Sequence, residues 1–260
     1  MTARPAPDAR PDPGRRSKRC RAVSALGSSA RRRVTSIDGR GRVAGRPIGA
    51  GASVELDERT LSSVAAYDEH ARAYQESLRL RRPVADVRRF AALAQRGDLV
   101  LDAGCGPAND LRLLRDAGVH PVGVDLSLGA LREARMLLPR HPLVQTPLHD
   151  LPFTPRSFGG LWLSGSFAHL PRAAWRPTFA KLLGFLDTGP VYLSGYRGTD
   201  DLAPDDDPVL GRVYNSSVTE VELTALCRSH GLQDLTVEVR PDPIRDRARL
   251  WVVALGVLRR

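Results

Sequence analysis

From Asp57 onward the apolar positions fall into two rhythms that alternate along the chain. Residues 60–80 (TLSSVAAYDEHARAYQESLRL) and 83–95 (PVADVRRFAALAQ) carry apolar side chains at helical spacing, which predicts two helices ahead of the first strand. Short apolar bursts then predict strands at 99–102, 121–125, 142–146, 159–165 and 190–196, with helices over 107–117, 127–137, 171–186 and 218–230. Gly118 and Gly231 stand where helices should stop. No element is predicted over 197–217. The alternation implies a parallel sheet covered on both faces. It breaks at the end: QDLTVEVR (233–240) and ARLWVVALGVL (248–258) are joined by only PDPIRDR, too short for a helical crossover, so an antiparallel hairpin is expected. The predicted fold class is therefore α/β, a doubly wound, seven-stranded, mostly parallel sheet with a C-terminal antiparallel hairpin.

Residues 1–56 show no such rhythm. They are rich in Arg, Pro, Gly, Ser and Ala and cannot bury enough apolar surface to offset ordering entropy, so a disordered basic extension is expected, followed by one domain over 57–260. The charge divides the same way. Residues 1–50 hold 13 Lys plus Arg against 3 Asp plus Glu, whereas residues 51–260 hold 26 of each. A neutral body argues against nucleic acid as a partner of the folded part. Cys20, Cys105 and Cys227 are widely separated and without CxxC spacing, so neither a disulfide framework nor a metal site is expected, and a reducing, cytoplasmic setting follows. No stretch approaches the roughly 20 apolar residues of a membrane helix.

The chemistry concentrates in LVLDAGCGPAND at 99–110. A buried strand ends in Asp102 at the open edge of the sheet, and Gly104 and Gly106 make a tight turn through which a ligand can reach bare backbone amides. A GxGxxG dinucleotide fingerprint would require a third glycine where Asn109 stands, which weakens a nicotinamide reading. Acid-x-Gly-x-Gly, the pattern of S-adenosylmethionine (SAM) sites, is matched by Asp102 to Gly106. Asp125 closes the next strand 23 residues later, where a carboxylate can accept both ribose hydroxyls; its alternative role is to cap the following helix, a task for which Ser127 competes.

Together with AYDEHARAY (66–74), VGVDLS (122–127), LPF (151–153), LWLSGSFAHLPR (161–172) and the terminal hairpin, these motifs make residues 67–257 resemble a class I SAM-dependent methyltransferase of the small-molecule, ubiquinone-biosynthesis-like type. The resemblance implies a Rossmann-like fold, SAM as cofactor and a small-molecule methyl acceptor. It implies cofactor contacts from Asp102, Gly104, Cys105, Gly106, Asp125, Leu126, Asp150, Ser166 and Tyr74, and no metal. Two positions depart from the family: Pro147 replaces an acid that meets adenine, leaving Asp150 as the nearest carboxylate, and Phe158-Gly159 lacks the acid that opens the fourth strand. Both losses are expected on the adenine side.

Methyl transfer from a sulfonium needs alignment more than a nucleophile, but an O–H or N–H acceptor gains from a base. His169, after the fourth strand, is the candidate catalytic base, with loop support as its bland alternative; His149 is a weaker one. Tyr67 and Tyr74 share a helix face that could form a lid or simply pack. Trp162 and Trp251 read as core, and Ser164 and Ser166 as edges of the site. An NAD(P)-linked oxidoreductase and a non-catalytic protein of the same fold stay open as alternatives; the acceptor's identity and the oligomeric state are not legible.

Overall fold

The computed structural model describes residues 56–79, 83–95, 97–242 and 249–260. The predicted N-terminal extension lies outside the described residues except for Leu56. Helices α1 (Glu58–Ser77) and α2 (Val84–Leu93) precede β1 (Leu99–Ala103), α3 (Asn109–Asp116), β2 (His120–Asp125), α4 (Leu128–Leu137), β3 (Leu143–Gln145), β4 (Leu161–Ser164), α5 (Arg172–Gly184) and β5 (Gly189–Tyr196). After a short hairpin, β6 (Ala203–Asp207) and β7 (Gly211–Asn215), come α6 (Glu220–Ser229), β8 (Leu232–Pro241) and β9 (Leu250–Leu258). No described helix is long and apolar enough to cross a membrane.

Seven strands form one sheet in the order β3-β2-β1-β4-β5-β9-β8. The first five are parallel, and β9 runs antiparallel to both β5 and β8, as the short connector between the last two strands requires. Strand order reverses between β1 and β4, so a crevice opens beyond their carboxyl ends. One face of the sheet carries Trp162, stacked on Tyr192 at 3.8 Å and met edge-on by Phe90 of α2. The opposite face packs Phe167, Phe179 and Leu182 into the larger apolar cluster.

The β6–β7 hairpin has no counterpart in the sequence reading. Its strand APDDD alternates no apolar residues; the hairpin is held by its backbone ladder, by the buried side chains of Leu210 and Val213, and by Asp207, which accepts from the amides of Val209 and Leu210. Helix α3 begins at Asn109 rather than Pro107, because Ala108 takes a left-handed φ of 66° at its N-cap.

Gly159 is a correction. Its amide donates to the carbonyl of Leu99, the first residue of β1, at 2.9 Å, which puts it at the sheet edge opposite Asp102 and away from any crevice. A Cβ there would lie 2.5 Å from the Asp98 carboxylate. The missing acid is therefore a packing feature of the far edge, not a loss on the adenine side.

Gly189, at φ 141°, faces the same spot: a Cβ on it would lie 1.9 Å from the Gly159 carbonyl oxygen. Gly189→Ala should cost about 2 kcal/mol or more, combining left-handed strain with a backbone clash. Thermal unfolding checks this, with a Tm at least about 4 °C below the parent expected for a domain of this size.

Candidate active site

Strand β1 carries Asp102 to the crevice, and the chain turns at once. Gly104 has φ 83°, and a Cβ on it would sit 2.3 Å from the Ser166 Cβ, so only glycine lets this turn pass the 3₁₀ turn Ser166–His169 after β4. Gly106, at φ 51°, would point a Cβ into open space. The amides are not bare, contrary to expectation. Those of Gly104 and Cys105 donate to the Val124 carbonyl at 2.8 and 2.9 Å, and that of Gly106 donates to Asp125 Oδ2 at 2.8 Å. They lash the β1 loop to the end of β2. Cys105 is buried and its thiol pKa is pushed well up by that burial.

Asp125 is held from both sides, since its Oδ1 accepts from the Ser127 amide at 2.9 Å. Ser127 takes the capping role on α4, accepting from the Ala130 amide at 3.0 Å. Each Asp125 oxygen keeps a second lone-pair site for a diol. Burial raises its pKa above the usual carboxylate range, although backbone N–H groups of Ser127, Gly106 and Leu126 pull the other way.

Beside this tie lies a smaller cavity bounded by Asp102, Asn109, Asp110, Ser164 and Tyr74. Asp102 is 1% exposed, and its Oδ2, like Asn109 Nδ2, is buried with no partner in the protein. Burial, then Asp110 and Asp125, drive the Asp102 pKa well above the ordinary range. An orphaned acceptor and an orphaned donor in one cavity suit a ligand end that carries both an ammonium and a carboxylate.

Helix α1 roofs the crevice and is fastened at several points. Asp68 Oδ1 accepts from Ser127 Oγ at 2.6 Å and from the Gly129 amide at 2.7 Å. Gly129 permits that contact, because a Cβ there would lie 2.6 Å from the Asp68 carbonyl. Thr60 donates to the His169 carbonyl at 2.8 Å, and Ser63 Oγ accepts from the Tyr214 amide of β7 at 2.9 Å. The helix leaves regular geometry at His70, between Tyr67 and Tyr74, whose rings meet edge-on at 4.9 Å.

His169 is committed at both ring nitrogens. Nδ1 lies 3.2 Å from the Tyr214 carbonyl, which can only accept, so Nδ1 carries the proton. Nε2 is then the acceptor for the Tyr67 hydroxyl at 3.0 Å.

The main cleft encloses about 1150 Å³ including its mouth. Gly104, Gly106, Asp125, Leu126, Ser166, His169 and Tyr74 all line it, and Asp102 and Cys105 line the adjoining cavity. Asp150 lines neither; it enters the adjacent loop through its backbone, accepting from Thr146 Oγ1 at 2.7 Å and donating to the Pro147 carbonyl at 3.0 Å. Thr146, Pro147, Leu148 and His149 form that wall, and burial lowers the His149 pKa. Trp251 is not plain core: it lines the cleft and donates Nε1 to Asp242 Oδ2 at 3.1 Å. Sequence reasoning missed Asp242, Tyr196, Thr60 and Ser63, which reach the cleft from segments with no motif of their own. Trp162 is core as read, and also donates to Asp110 at 3.1 Å.

The stretch that builds this crevice, residues 100–189, matches the family described as "Methyltransferase domain". Residues 100–189 thus carry a methyltransferase domain. The nicotinamide alternative gives way to it. Among curated relatives, malonyl-[acyl-carrier protein] O-methyltransferases from Pseudescherichia vulneris and Enterobacter lignolyticus are 35% and 36% identical over 98 residues, 38% of this chain. The chain spans only 39% of the length of these relatives. Among solved structures, Burkholderia thailandensis 1,6-didemethyltoxoflavin-N1-methyltransferase, with its bound 1,6-didemethyltoxoflavin and S-adenosylhomocysteine, has a TM-score of 0.60 at 21% identity, covering 84% of this chain and 94% of its own. The DhpI–SAH complex has a TM-score of 0.58 at 17% identity, covering 75% and 95%. These likenesses show that the methyltransferase domain has the fold of those enzymes.

An acid whose folded pKa is raised binds its proton more tightly in the folded state, so stability is greatest below the ordinary carboxylate pKa and falls as pH rises through the raised value. Asp102→Asn should therefore raise the Tm of the ligand-free domain at neutral pH, about 2–4 °C for each kcal/mol recovered, and flatten the fall in stability with rising pH. Calorimetric scans across the acidic to neutral range check both.

Proposed function

We propose that the chain transfers the methyl group of SAM to a small-molecule acceptor in the cytoplasm. The observation that supports this most directly is the juxtaposition, at two neighbouring strand ends, of Asp125 with its spare lone pairs and the unpartnered Asp102 Oδ2 and Asn109 Nδ2. Asp102 and Asn109 would hold the ammonium and carboxylate of the methionine end, Asp125 the ribose hydroxyls, and Leu126 with the 146–149 wall the adenine. Asp150 would contribute through its backbone, with Pro147 supplying apolar contact in place of an acid.

The cofactor supplies a methyl group on a sulfonium whose leaving group is already activated. The protein's part is alignment, close approach and exclusion of water. Gly106 leaves the space, Ser166 and Tyr74 border it, and the fastened α1 keeps water out. For an acceptor with an O–H or N–H, Tyr67 takes the acceptor's proton as its own passes to His169 Nε2. The imidazolium that results keeps its Nδ1–H on the Tyr214 carbonyl. His169 thus acts through Tyr67, and the pair would contribute about 10²–10⁴-fold.

Two outcomes test the reading. Asp125→Asn should weaken SAM binding by at least about tenfold, as loss of charge-assisted hydrogen bonds to a diol demands; unchanged affinity by isothermal titration would refute the ribose assignment. Tyr67→Phe and His169→Gln should each lower single-turnover methyl transfer by about 10²-fold while SAM affinity stays within a factor of two or so.

A further inference from the structure

A proton relay through Tyr67 works only if His169 Nε2 is free of its own proton before an acceptor arrives. A neutral imidazole carries one N–H, and the protein chooses the nitrogen by what it places opposite each. The Tyr67 hydroxyl, 3.0 Å from Nε2, can donate or accept. The Tyr214 carbonyl, 3.2 Å from Nδ1, can only accept, so the choice is made from β7.

That carbonyl is aimed by the register of the β6–β7 ribbon. Tyr214 stands opposite Pro204, flanked by the pairs Asn215 with Ala203 and Val213 with Asp205. In an antiparallel ribbon alternate pairs exchange both backbone bonds, and the residues between them turn N–H and C=O to the outer edge. Pro204 has no N–H to exchange, which suits its pair with Tyr214 to the outward role. Both outward groups of Tyr214 are used: its N–H donates to Ser63 Oγ at 2.9 Å, and its carbonyl takes the His169 ring. Ser216, just past β7, continues the same edge. Its amide donates to the Ala168 carbonyl at 2.6 Å and its hydroxyl to the Leu170 carbonyl at 2.7 Å, so the backbone is gripped on both sides of His169.

Helix α1 holds this edge from the other side. Thr60, Ser63 and Tyr67 share one helix face and reach, in turn, the His169 carbonyl, the Tyr214 amide and the His169 ring. Ser63 is fully buried, and its hydroxyl donates one turn back to the Arg59 carbonyl at 3.0 Å, which leaves a lone pair for the Tyr214 amide.

We propose that the outer edge of β7 presets His169 with its proton on Nδ1, and that Ser63 is the positioning residue that holds this edge in place. The proposal rests on the reading of Tyr67 and His169 as the relay. Ser63 acts through the Tyr214 backbone. Without its hydroxyl the Tyr214 amide loses its partner and the carbonyl its aim.

The test uses the full chain with its histidine rings labelled with nitrogen-15, at a pH well above the ordinary histidine pKa. Long-range proton–nitrogen spectra show which ring nitrogen carries the proton, and the His169 signal is the one missing from His169→Gln. The parent should hold the proton on Nδ1. Ser63→Ala should lower the ratio of Nδ1–H to Nε2–H by about tenfold, the equilibrium equivalent of one hydrogen bond. Tyr67→Phe should leave the proton on Nδ1, because the carbonyl and not the phenol sets it. S-adenosylhomocysteine affinity, measured by calorimetry on the same samples, should stay within a factor of two or so in both variants, which shows them to be folded. If the parent does not bind S-adenosylhomocysteine, the methyltransferase reading fails and the proposal with it. If it binds, the proposal alone is overturned by any of three results: the parent carries the proton on Nε2, Ser63→Ala leaves the ratio unaltered, or Tyr67→Phe moves the proton to Nε2.

Discussion

The site depends on the tie between the ends of β1 and β2. The Val124 carbonyl takes two amides from the glycine loop and the Asp125 carboxylate takes a third, so the loop's shape and the carboxylate's position are set by one shared set of bonds. Neither half is stable in place alone. A loop with positive φ at Gly104 and Gly106 needs partners for its amides, and a buried carboxylate needs donors. The cleft's other parts attach to this tie: Ser127, two residues after Asp125, caps α4 and donates to Asp68 of the roofing helix.

Electrostatics gives the cleft its preference. Buried carboxylates hold a site at a cost in folding stability, in keeping with the pKa that burial raises at Asp102 and Asp125. A positively charged guest offsets that cost, so a sulfonium with an ammonium at its far end suits the site on charge as well as shape. The tension between stability and binding is expected of functional residues, which are placed where solvation alone would not put them.

Much of this was legible in the chain. The strand and helix rhythms located every strand of the main sheet, and the short connector predicted that β8 and β9 pair antiparallel, because these features rest on local periodicity and connector length. Asp102, the glycines and Asp125 lie within one strand–turn–helix–strand run, so their grouping was readable too. What escaped was non-local. His169 and Tyr67 are 102 positions apart, and no pattern links them. Trp251 looked like core because a side chain that is 8% exposed has an ordinary strand context whichever cavity it borders. The β6–β7 hairpin escaped because APDDD shows no apolar alternation and its partner strand carries one buried aliphatic residue, Val213, too little to form a pattern. The loop amides were misread because glycine spacing shows where a ligand can approach, not which carbonyl has already claimed the donors.

The central claim is that the two strand ends form a cradle for the adenosyl and methionine parts of SAM. A crystal structure of the full chain with S-adenosylhomocysteine tests it most directly. The account predicts both ribose hydroxyls within about 3 Å of the Asp125 oxygens and the amino group at a similar distance from Asp102. A complex in which the ribose sits elsewhere, with Asp125 still bonded only to Gly106 and Ser127, would contradict it.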